Sequence, residues 1–187
     1  METLTDIFGH VCGQNHCFTA DGAALPVCQR CLGLYLAAVL TGAWVGVSGL
    51  WRRGLPNWGV FVVHAAALVA AMLAGLHVWG DGPVAKAACG LWTGHVALLW
   101  LVGAGGHLRR LSRAHPPPQV PWRTRDKLQA LAAMALLAGL AALLPHVAGR
   151  GWWAWSLAAA AGALMLVAAA VAAAVAVATY LWALARR

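Results

Sequence analysis

The sequence predicts an all-α integral membrane protein with about five transmembrane helices in one bundle. The chain is 62% hydrophobic and only 10% charged, whereas a soluble domain is about half apolar and a quarter charged. Long apolar runs also recur along the chain, separated by short connections that carry the basic residues. Five spans of about 20 residues each take up most of 187 residues. The sequence therefore leaves no room for a large soluble catalytic domain.

Five apolar runs are long enough to cross a bilayer: 32–51, 57–79, 85–106, 127–148 and 152–184. None of them alternates polar and apolar residues as a barrel strand does, and backbone groups in hydrocarbon must be bonded within the segment, so we expect helices. The last run is longer than a span requires, so it must tilt, extend beyond the bilayer or begin as an interfacial stretch. Gly90 and Gly94 in the third run have the spacing that lets helix backbones approach closely.

The basic residues predict the orientation. The basic connection 107–127, together with Arg52, Arg53, Arg186 and Arg187, places ten of the 13 Lys and Arg residues on one side, which the positive-inside rule makes cytoplasmic. We expect an extracytoplasmic Cys- and His-containing loop over residues 1–31, a transmembrane domain over 32–187, and a cytoplasmic carboxyl terminus. No signal peptide precedes the loop, so we expect it to be translocated with the first helix and retained.

The predicted location and partners follow from the same charges. Because the net charge of +8 is explained by orientation, nucleic acid is not an expected partner. A multi-pass protein of the cell membrane has the lipid bilayer as its surroundings, and a homo-oligomer or a membrane complex stays open.

The amino-terminal loop carries the main chemical signal. It holds four of the five cysteines, namely Cys12, Cys17, Cys28 and Cys31, together with His16. The two-residue gap between Cys28 and Cys31 is typical of a zinc knuckle or of a redox pair. The other thiols and the imidazole are further soft ligands that a short loop can fold back onto this pair.

Three interpretations of the cysteines stay open. The first is a site for a metal such as zinc, which would support a loop that has little core of its own. The second is a disulfide clamp in a structural subunit or small carrier, since the predicted compartment oxidises thiols. The third is a quinone-linked thiol-disulfide oxidoreductase, in which Arg30 would favour the thiolate form. Whether the protein is an enzyme is left open, although nucleotide-binding loops and serine-histidine-acid arrangements are not seen.

Two blocks of sequence resemble a known family. Residues 26–35 read Pro-Val-Cys-Gln-Arg-Cys-Leu-Gly-Leu-Tyr and lead into the first helix, and Cys12 precedes them. Asp81-Gly82 and Thr93-Gly94 form a second block. Together they are similar to the bacterial membrane family called domain of unknown function 2085. The resemblance implies a membrane fold and an apparent site, without an established activity.

Asp81 is the family-like residue that could complete the thiol site. Two membrane crossings return the chain to the outer surface there, so Asp81 would be a metal ligand or would orient a ligating histidine. The alternative is that Asp81-Gly82 is only a turn.

Histidines also lie within the predicted spans. His64 and His95 fall well inside the second and third runs, where we expect neutral side chains bonded to neighbouring helices, with a proton or ion path as the alternative. None of the spans has a charged residue deep in its core, which argues against an ion-coupled transporter. Cys89, alone in the third run, is expected to be a small buried residue.

Overall fold

A computed structural model of the protein describes residues 17–53, 55, 58–75, 82–113 and 120–186. Its elements, in chain order, are β1 (Cys17–Ala20), β2 (Ala23–Cys28), α1 (Gln29–Ser48), α2 (Trp58–Gly75), α3 (Pro83–Leu111), α4 (Thr124–Val147) and α5 (Trp152–Ala185), with a short 3-10 helix (Leu50–Arg52) after α1. The helices follow the five predicted runs closely.

Among the described helices, four are long and apolar enough to cross a membrane: α1, α3, α4 and α5. The stretch Trp58–Ala71 of α2 is apolar but shorter. The prediction of a helical membrane protein is thus confirmed. The predicted number of about five spans stays a prediction, with four candidate spans among the described residues. The first helix begins at Gln29, three residues inside the loop predicted over 1–31.

A β-hairpin, which the sequence analysis did not predict, precedes the first helix. Strands β1 and β2 are antiparallel, and Ala20 pairs with Ala23 across the turn. The two residues between them, Asp21 and Gly22, have φ angles of 52° and 78°. Two successive positive φ angles define the type I′ turn that Asp-Gly favours in tight hairpins. The buried side chains of the hairpin join the core around α1.

Helix α3 lies at the centre of the bundle, where it packs against all four other described helices and most extensively against α1. At Gly90 and Gly94 of α3, an added Cβ would clash with the backbone carbonyls of Arg30 and Leu34 on α1. Gly162 of α5 makes the same kind of close approach to α1. The close contact predicted from the glycine spacing in the third run is therefore present, and it is made with the first helix.

An ion pair ties together the end of the bundle that holds the 3-10 helix. The guanidinium of Arg53 contacts the carboxylate of Asp126 at the start of α4, and the two side chains are 20% and 7% exposed. The same carboxylate accepts the backbone N–H of Arg123 at 2.7 Å, which caps α4. The connection after α1 and the start of α4 therefore lie at the same end of the bundle, opposite the hairpin.

Candidate thiol site and buried histidines

Cys17 and Cys28 face each other across the hairpin. They are partners in the strand register, and Cys28 is buried whereas Cys17 is half-buried. Residues directly opposite in an antiparallel pair have Cα atoms about 4.5–5.5 Å apart. That separation suits a disulfide, and it also suits two ligands of one metal ion.

Cys28 is connected to Cys31 by the start of α1. Cys28 is the N-cap residue, with an extended backbone, and its Sγ accepts the backbone N–H of Cys31 at 3.4 Å. A side-chain acceptor at this position satisfies one of the unpaired N–H groups of the first helical turn. The hairpin and the helix start thus bring three thiol-bearing positions to one junction.

The described side chains do not form a complete metal site. Within the described ranges, no group of three or more His, Cys, Asp or Glu side chains is arranged to hold a metal ion. The other predicted ligands, Cys12, His16 and Asp81, lie outside the described residues. The predicted set of six ligands therefore stays a prediction, with the backbone positions of three of them now known.

The hairpin is anchored to the start of α5. The carboxylate of Asp21 accepts the backbone N–H groups of Gly151 and Trp152, both at 2.9 Å. The indole Nε1 of Trp152 donates to the carbonyl of Ala24 at 2.9 Å, and the N–H of Asp21 donates to the carbonyl of Gly149 at 3.2 Å. Asp21 therefore caps a helix whose own N-cap residue, Gly151, has no side chain to do so.

Sequence reasoning missed this role of Asp21. The Asp-Gly pair was the available signal, because it favours a two-residue hairpin turn that leaves the aspartate side chain at the apex. The partner helix could not be identified from the sequence, since the contact spans 130 residues.

Cys89 takes part in helix packing. It is buried, and its thiol donates to the backbone carbonyl of Ala71 on α2 at 3.0 Å. This agrees with the expectation of a small buried residue within the third run.

His64 and His95 form a buried pair between α2 and α3. Each is 1% exposed, and the two imidazole rings meet edge to face with centroids 5.6 Å apart. Nδ1 of His64 accepts the indole N–H of Trp100 at 3.1 Å, and Nδ1 of His95 lies 2.8 Å from the hydroxyl of Thr41 on α1. Both histidines are therefore bonded to neighbouring helices, as the sequence analysis expected.

The Trp100 bond fixes the protonation of His64. Because an indole N–H can only donate, Nδ1 of His64 must be the acceptor, and the ring is a neutral imidazole with its proton on Nε2. Among the described atoms, Nε2 of His64 and Nε2 of His95 have no hydrogen-bond partner. The pair thus holds three helices together without carrying charge on His64.

Comparison with known proteins gives a match for about the first half of the chain. Residues 12–100 match the family model described as a predicted membrane protein, domain of unknown function 2085. The match includes both blocks that carried the resemblance, which is therefore confirmed. No curated protein and no solved structure matches the chain. The family description supports a membrane location and names no activity.

Proposed function

We propose that the hairpin and the start of α1 bind a metal ion such as zinc at the outer surface of the cell membrane. Cys17, Cys28 and Cys31 are the described candidate ligands of this proposal, and their side chains are not arranged as one group around an ion in the structure. The ligands that complete the site would be drawn from Cys12, His16 and Asp81, which lie outside the described residues. The observation that carries the proposal is the strand register, which sets Cys17 opposite Cys28, next to the helix start at Cys31.

The chemistry of the donors suits zinc. Structural zinc sites are tetrahedral and closed by four Cys or His ligands, with zinc-sulfur distances of about 2.3 Å. Since the hairpin is small, the binding energy of the metal would add to the few contacts that stabilise it.

The distribution of charge supports an outward-facing site. The Arg53 and Asp126 pair lies at the end of the bundle that also carries Arg52, Arg123 and Arg125. The positive-inside rule places such an end in the cytoplasm. The hairpin, at the opposite end, would then face out.

One sample can test the metal hypothesis. The protein is purified in mild detergent without chelator, and its bound metal and reactive thiols are both determined. We expect stoichiometric metal in the parent, loss of metal in the Cys28→Ser, Cys31→Ser double variant, and retention in Cys89→Ser, the matched control that removes a thiol from helix packing. Stoichiometric metal in the double variant, or none in the parent, would overturn the proposal.

A second candidate function is thiol-disulfide exchange with a quinone. It is favoured by the helix N-terminus at Cys28, where a backbone N–H is directed at the sulfur, as is found around reactive thiols. Oxidation of the Cys28 and Cys31 thiols would form one disulfide and pass two electrons and two protons to the quinone, giving a quinol. A reversible loss of two thiols on addition of decylubiquinone would support it. A fixed disulfide that does not respond to quinone would instead indicate a structural clamp.

A further inference from the structure

A groove runs along the bundle surface between α1, α3 and α5 and ends at basic residues. It consists of two adjoining hollows of about 340 and 120 Å³, which share Trp51, Val102 and Ala169 as walls. The first hollow begins near Gly42 of α1, and the second reaches Arg109 in the last turn of α3. At about 1.5 Å per helical residue, the groove is some 15 Å long, which matches much of one acyl chain.

Small residues open this groove. Its floor on α5 consists of alanines and Met165, and on α1 it includes Gly46, where an added Cβ would meet nothing within 4 Å. The hollow walls are thus almost wholly apolar along the length that would lie in hydrocarbon. An apolar chain fits this surface, whereas a free inorganic ion does not.

The basic end of the groove is lined by Arg109, and Arg52 lies next to a residue of its wall. The guanidinium of Arg52 lies 4.6 Å from the ring centroid of Trp51, and Arg109 lines the same hollow as Trp51. Of the two acidic side chains in the described part of the chain, Asp126 is engaged by Arg53, and Asp21 lies at the opposite end. Arg52 and Arg109 therefore carry positive charge that is not balanced by any acidic side chain in the described part of this end.

We propose that the groove and these arginines bind one anionic phospholipid. One acyl chain lies between α1, α3 and α5, and the phosphate lies between Arg52 and Arg109. Basic pockets between transmembrane helices at the membrane surface suit such headgroups, because each basic residue adds attraction for negative lipids. The proposal does not depend on the metal site at the other end of the bundle.

Native mass spectrometry of the detergent-purified chain can test the proposal. The probes are phosphatidylglycerol and phosphatidylcholine with identical acyl chains, so that only the headgroup charge differs. We expect one phosphatidylglycerol to be retained preferentially. Arg52→Gln and Arg109→Gln should each weaken its binding by about fivefold. Arg125→Gln removes the same charge from the same end, away from the groove, and should leave binding unchanged.

The groove itself is tested by Gly46→Leu. The new side chain has open space, so the variant should fold normally, which its melting temperature would show, yet it should occupy the path of the acyl chain and reduce retention of both lipids. Equal retention of the two lipids by the parent would overturn the proposal. The proposal would also be overturned if Arg125→Gln weakened lipid binding as much as Arg109→Gln, or if Gly46→Leu bound lipid normally. A dimer that occupies the groove in place of lipid would overturn it as well.

Discussion

Replacement of Asp21 should loosen the start of α5, although 130 residues separate them. Both N–H groups, of Gly151 and Trp152, donate to the same carboxylate oxygen of Asp21. Loss of a helix cap costs about 1 kcal/mol, and loss of a negative charge near a helix N-terminus costs about 0.3–1 kcal/mol. Since Asp21 is exposed, we expect the summed loss of unfolding free energy to lie near the lower end of these ranges, at about 1–1.5 kcal/mol.

Three substitutions of Asp21 separate its roles. Asp21→Asn keeps both the turn and an acceptor oxygen, so it should lose only the charge effect, about 0.5 kcal/mol. Asp21→Gly keeps the positive φ angle and loses both the cap and the charge, so its free energy of unfolding should fall by the full amount of about 1–1.5 kcal/mol. Asp21→Ala should lose roughly 1 kcal/mol more, because its φ of 52° is unfavourable for alanine.

The measurement combines thermal unfolding in detergent with hydrogen exchange at single amides. The amides of Gly151 and Trp152 should exchange faster in Asp21→Gly and Asp21→Ala, and nearly normally in Asp21→Asn. If exchange at these two amides were the same in Asp21→Gly and in the parent, the aspartate would not be the cap of α5. If Asp21→Asn were as unstable as Asp21→Gly, loss of the carboxylate charge alone would explain the effect.

Further predictions concern packing, the ion pair and orientation. Gly90→Ala should lower the free energy of unfolding by about 1–3 kcal/mol, because its Cβ meets the backbone of α1. The control Gly46→Ala, in open space, should be neutral or slightly stabilising. Equal melting temperatures of these two variants would disprove the close contact at Gly90. Asp126→Asn should cost about 1–3 kcal/mol, since it leaves the partly buried Arg53 guanidinium without its counter-charge; an unchanged melting temperature would exclude a stabilising role for this pair. A cysteine introduced at Ser112 should be protected from an impermeant thiol reagent in intact cells and one at Gly149 should react; the reverse pattern would place the hairpin in the cytoplasm.

The helices could be predicted because their signals are local. Each span is an apolar run of membrane length, so its existence follows from residues that are adjacent in sequence. The Gly90 and Gly94 spacing likewise showed that α3 could approach another helix closely. It could not show that α1 is that helix, because the choice of neighbour depends on the three-dimensional arrangement of all the spans.

The sequence predicted the thiols as a candidate site, and it did not predict how the fold arranges them. The spacing of Cys28 and Cys31 indicated a thiol pair, but the hairpin that sets Cys17 opposite Cys28 depends on the Asp21-Gly22 turn, which was overlooked. The expectation that the embedded histidines bond to neighbouring helices agrees with the structure. Their specific partners were not foreseeable, since a Thr or Trp side chain gives no signal for a distant acceptor.

The anchoring of the hairpin by α5 has a consequence for the order in which the protein is assembled. The hairpin precedes helices α1 to α5 in the chain, but its hydrogen-bonding partners at Gly149, Gly151 and Trp152 follow α4. Contacts between residues so far apart close a long loop and form late in folding. In a nascent chain that stops before α5, the hairpin would therefore lack these hydrogen bonds. Its backbone would be accessible to proteases, and its thiols could form disulfides with the wrong partners. Completion of α5 would be the step that anchors the hairpin.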